Sequence, residues 1–159
     1  AQAQEEDQYA ALDGHADIIV STDAVLVEES EACPQVRAQG YLSAARVRTN
    51  DPRLSGRLEA VSNYVQPLSG QHGGLVRSGR ARLSNDDGSW LAEFRGFSQP
   101  GTSIYVGSHY SIALTGVGEY AGLSAMMHWV PTGFGTWDLK GILIPGPLPA
   151  FPEAHLPGP

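Results

Sequence analysis

Five histidines (His15, His72, His109, His128, His155), one cysteine (Cys33) and a sparse set of carboxylates carry most of the reactive chemistry in this 159-residue chain. Their spacing supports little of it. No two histidines form H-x-H or H-E-x-x-H, the separations that aim two imidazoles at one ion, so no metal is expected. A single cysteine excludes an intrachain disulfide; Cys33, beside Pro34, reads as a small buried residue or as a point of pairing between copies. Asp86 and Asp87 adjoin in a turn-type run, where carboxylates bond to the local backbone and do not work as an acid–base pair. Glu93 and Arg95, two apart, share the outer face of a strand. Gly116-Val117-Gly118 is a hairpin reversal with no helix after it to cradle a phosphate, and no G-x-S-x-G elbow occurs. No catalytic set and no cofactor are expected from these residues.

The elements that must position whatever remains are strands. Apolar and polar residues alternate from about residue 36 to 145, broken by turn signals every 8–15 residues. The candidate strands and their inward residues are 36–49; 54–66 with Leu54, Leu58, Ala60 and Tyr64; and 74–84 with Leu75, Ala81 and Leu83. Trp90, Ala92, Phe94 and Gly96 share the next face. After them come 102–115 (Ile104, Val106, Tyr110, Ile112, Leu114), 119–130 (Ala121, Leu123, Ala125, Met127, Trp129) and 135–144 (Trp137, Leu139, Gly141, Leu143). Asn85-Asp86-Asp87-Gly88 supplies an Asp-Gly hairpin turn, and Gln71-His72-Gly73-Gly74 a loop. His109 and His128 fall opposite the apolar sets, facing solvent or a partner.

Seven such strands in sequence predict an all-β fold, an antiparallel up-and-down barrel that needs an eighth strand to close. The remaining β-rich stretch is 17–29, with Ile18, Ile19, Val20, Val25, Leu26 and Val27. It either closes its own barrel or adds to the edge of a neighbouring copy, where those residues and Cys33 would carry assembly.

Charge divides the chain. Residues 1–31 hold nine acids and no Lys or Arg, whereas 32–159 hold eight acids against ten bases. The expected organisation is an acidic arm over 1–31, a barrel domain over 32–146 and a proline-rich tail over 147–159. A formal charge of −7 argues against nucleic acid as partner, because phosphate binding needs a basic face. No apolar run reaches the roughly 18 residues of a membrane-crossing helix. The start Ala-Gln-Ala-Gln, without methionine, reads as a mature secreted terminus.

The runs DPRLSG (51–56), RARLSNDDGSWLAEFRGF (80–97), TGVGEYAGLSAMMHW (115–129) and GTWDLKGILIPG (135–146) resemble the allene oxide cyclase-like barrel group, which includes dirigent-like proteins and bacterial spirotetronate cyclases. The similarity is strongest to small secreted bacterial members without an assigned activity. It implies an eight-stranded antiparallel barrel, often oligomeric, with an apolar cavity that shapes a flexible small molecule for cyclisation. Tyr64, Tyr110, Met127, Trp129 and Trp137 are the inward residues that would line such a cavity. Two readings follow: a secreted subunit that self-assembles into an oligomer or filament, and a barrel that binds or cyclises an apolar small molecule. An interior filled by its own side chains favours the first, and an open apolar cavity of ~300 Å³ or more favours the second.

Overall fold

A computed structural model of the chain describes residues 9–22, 25–29, 35–67, 74–98, 107–153 and 158. It is all-β. The strands are β1 (Ala10–Ser21), β2 (Val25–Glu29), β3 (Gln35–Thr49), β4 (Gly56–Pro67), β5 (Leu75–Ser84), β6 (Ser89–Ser98), β7 (His109–Val117), β8 (Leu123–Gly133) and β9 (Thr136–Pro145). From β3 to β9 each strand pairs antiparallel with the next, and β1 pairs with both β9 and β3. Eight strands thus close a ring with no free edge, which satisfies the ladder groups that an open sheet would expose. The only helical residues described are two single 3-10 turns, Pro52–Leu54 and Gly118–Tyr120, and no described helix is long and apolar enough to cross a membrane.

Alternation sets the register. Trp90, Ala92, Ile112, Leu114, Ala125, Met127, Trp129, Trp137, Leu139 and Leu143 are buried in one core cluster with Phe94 packed against it, while Glu93 and Arg95 face out. An eight-stranded barrel is too narrow for a large ring at every interior position, so aromatics sit across from glycine. Gly79 is the direct cross-strand partner of Phe94, and Gly96 that of Tyr110. A Cβ at either glycine would collide with the facing ring.

Five expectations need correction. The stretch 17–29 is not one strand. The closing strand starts earlier, at Ala10, and the ladder on β3 is interrupted after Ser21, resuming at Val25 as β2. The early part escapes a search for β-branched residues because its inward positions are Ala10, Leu12, Gly14 and Ala16; a Cβ at Gly14 would strike the Arg48 carbonyl. Residues 10–21 of the acidic segment therefore belong to the barrel. Leu54 lies in a 3-10 turn, because Pro52 and the Asp51 cap stop the ladder before Gly56. Ala121 is an exposed turn residue, and the reversal expected at Thr115-Gly116-Val117-Gly118 falls later, since β7 runs through Val117.

Cys33, His72, His155, Ile104 and Val106 lie outside the described residues, as does most of the 71–74 loop. Val25, Leu26 and Val27 are described as backbone only. Residues 147–153 form neither helix nor strand, and Phe151 is fully exposed.

Candidate functional site

The two ends of the barrel are built differently. At one end the chain turns at Asp51–Gly56, Asn85–Gly88 and Gly118–Gly122. Asp51 Oδ1 accepts from the Arg53 backbone N–H and from Arg53 Nε, both at 3.0 Å, and Oδ2 accepts from Arg53 Nη2 at 2.7 Å. The Arg53 hydrogen bonds and charge hold the Asp51 carboxyl below its usual range, against burial, which acts the other way. Leu54 is driven into the core by that turn. Trp90 donates from Nε1 to the Arg53 carbonyl at 2.8 Å and stacks on Tyr120, whose hydroxyl donates to Asn85 Oδ1 at 2.8 Å. Asn85 Nδ2 in turn donates to the carbonyls of Pro52, Arg53 and Ser55. These are residues of the 51–56, 80–97 and 115–129 runs, so much of what carries the resemblance closes one end of the barrel.

At the other end the barrel holds a cavity of about 300 Å³. Its wall comes from Tyr41 on β3, Arg77 on β5, Phe94 on β6, Tyr110 and Ile112 on β7, Trp129 on β8 and Trp137 on β9, with Ile18 of β1 and Phe134 at the rim. Tyr110, Trp129 and Trp137 form a continuous aromatic surface, with ring centroids 5.7–6.4 Å apart. Trp137 Nε1 is satisfied by the Ser108 carbonyl at 2.9 Å, while Trp129 Nε1 is buried without an acceptor.

Among the described residues Arg77 is the one charged side chain in this wall. Its Nη1 donates to the Tyr110 hydroxyl at 2.9 Å, and its guanidinium carbon lies 4.6 Å from the Tyr41 ring centre and 5.6 Å from that of Tyr64. Nε is buried with no acceptor, and among the described residues no carboxylate lines the cavity. Ring faces attract a cation but do not neutralise it.

Of the five residues expected to line a cavity, the structure brings Tyr110, Trp129 and Trp137 together in its wall. Tyr64 is set back behind Arg77, edge-on to Tyr41, and Met127 is fully packed in the core. Arg77 and Tyr41 were missed. Arg77 was legible by parity, since it lies two residues from Leu75 and four from Ala81 on the inward face. Tyr41 was not, because a register shift in β3 between Ala38 and Tyr41, at Gly40 with φ of 72°, moves it inward.

Elsewhere, Ile18 touches the cavity whereas Ile19 and Val20 are exposed. His109 stacks on Phe97 and on His128 on the outer face, and His15 pairs with Asp138 on the surface at 2.7 Å. Among the described residues no three His, Cys, Asp or Glu side chains are placed to hold a metal.

Fold and cavity together define a closed antiparallel barrel with an aromatic-walled chamber at one end. Comparison of the chain with protein-family models, curated proteins and solved structures finds no match.

Proposed function

We propose that the chain binds a small, largely apolar molecule in the barrel chamber. The observation that carries this reading is the cavity itself: about 300 Å³, walled by Phe94, Tyr110, Trp129 and Trp137, at the lower end of the size range of ligand sites. Membership of the allene oxide cyclase-like group, suggested by the sequence runs, fits the same reading. Among the described residues the cavity wall contains no histidine, lysine or carboxylate, so turnover by these residues would come from holding a flexible substrate in one reactive shape. Titration with a panel of neutral apolar lactones is expected to quench tryptophan emission saturably, and Ala60→Phe, which fills the chamber, to abolish the response. A wild-type protein that responds saturably to no member of the panel overturns the reading.

Self-assembly has one observation in its favour. Among the described residues β2 is hydrogen-bonded only to β3, which leaves an edge on which a strand of another copy fits. Exchange of β1 has lost its motive, because β1 pairs on both sides within its own barrel. A monomeric mass at high protein concentration removes the assembly reading.

A further inference from the structure

Seven of the nine arginines are exposed on the outer face of β3 to β6, against two carboxylates there, Glu59 and Glu93, in a chain of formal charge −7. Its densest part is a shallow groove whose lining includes Ile19, Arg46, Arg48 and Arg57 and shares no residue with the chamber. Arg46 stands directly opposite Arg57 in the antiparallel ladder, which puts their Cβ atoms about 5 Å apart. Arg48 lies two residues along β3, roughly 7 Å from Arg46 on the same face. Like charges in facing positions destabilise a sheet, and an anion between them reverses the sign. The chain itself supplies little of that anion. Glu59 engages Arg57 Nε at 2.9 Å, with both groups exposed. Asp17 faces Arg46 from β1 without an ion pair, and among the described residues the Arg46 and Arg48 side chains have no hydrogen-bond or ion-pair partner.

We propose that this groove binds a small polyanion of joined tetrahedral oxyanions, a diphosphate or a longer polyphosphate. A phosphate group presents oxygens in several directions, which suits three guanidinium groups rising from the corners of one triangle. A second, joined phosphate supplies the charge that one alone leaves short. An acidic peptide fits less well, because β3 is paired at this level by β1 and β4, so a peptide cannot add as a strand and meets side chains alone. Ile19, put on the outer face by the register shift in β1 between Ile18 and Val20, gives the groove one apolar edge. The site stands independently of the chamber.

The test is isothermal titration of the full chain with orthophosphate, pyrophosphate and triglutamate at low ionic strength. Pyrophosphate is expected to bind one to one, at least tenfold more tightly than orthophosphate, and more weakly as salt rises. Arg46→Gln combined with Arg48→Gln should weaken it at least tenfold. Arg80→Gln combined with Arg95→Gln, on the same face outside the groove, should change it less than threefold. All four positions are exposed, so both variants are expected to fold. Equal losses in the two variants overturn the groove assignment, since the whole face then acts as diffuse charge. Triglutamate binding as tightly as pyrophosphate overturns the phosphate assignment in favour of an acidic peptide. Absence of saturable pyrophosphate binding overturns the site altogether.

Discussion

The Asn85 side chain, at the closed end, takes part in six hydrogen bonds: three to backbone carbonyls, two from backbone N–H groups and one from Tyr120. Arg77, at the chamber, makes one with a described residue. Both are polar side chains of β5 or its following turn, and each faces aromatic rings. The closed end spends its polar groups on the chain itself, which favours a single rigid arrangement. Among the described residues the chamber offers Arg77 no carboxylate and leaves two buried N–H groups without an acceptor, a cost that tends to be concentrated at functional sites. The difference assigns stability to one end and recognition to the other.

The largest test of that division compares two tryptophans. Trp90 is fully buried and hydrogen-bonded at the closed end, so Trp90→Ala is expected to cost about 3–5 kcal/mol in urea unfolding. Trp137 already borders a void, so the same truncation forfeits fewer contacts, and about 2–3 kcal/mol is expected. Equal losses would erase the distinction between the ends. Next comes Asn85→Ala, which strands several partly buried groups at once; about 2–4 kcal/mol is expected, with no change in lactone binding per folded molecule. A variant that keeps its stability would show that water replaces the amide freely.

Much of the barrel was legible because alternation is a direct readout of facing: the parity of Trp90, Phe94, Trp129 and Trp137 holds in the structure. The closing strand was half legible. Ile18 to Val20 signal a strand, but of the inward positions from Ala10 to Ala16 only Leu12 is large, and the small others pack well in a tight barrel and leave only a weak apolar pattern. The site was harder to read, since its defining residue is a charge. Arg77 has inward parity, yet a rule that places arginine outside passes over it. Tyr41 depends on a bulge, which shifts every later side chain by one position and leaves no mark in periodicity beyond Gly40.

A smaller effect separates the ends by pH. The Arg53 hydrogen bonds depress the Asp51 pKa in the folded state, so the folded chain prefers the carboxylate. The resulting stabilisation is present above the unfolded value of about 3.9 and is lost as pH falls through the lower folded value. Unfolding free energy should therefore decline below about pH 4, and less so in Arg53→Met, which at neutral pH costs about 1–2 kcal/mol because the pair is partly exposed. A wild-type profile no steeper than that of Arg53→Met would mean that the pair contributes nothing.

The smallest expected change is the most informative, because at the chamber the sign itself is the result. Arg77→Met removes one hydrogen bond to Tyr110 and the attraction of two ring faces, a loss of roughly 1–3 kcal/mol. It also removes a half-buried cation that has no carboxylate beside it among the described cavity residues, a gain of similar size. Methionine fills much of the same space and is soft enough to settle against Tyr41 and Phe94. The two contributions nearly cancel, so stability in urea should move by less than about 1 kcal/mol in either direction. Arg53→Met lacks that offset, since its loss leaves Asp51 without its partner. If Arg77→Met instead costs more than about 2 kcal/mol, the guanidinium is a structural strut like Arg53. The two ends would then be built on one plan.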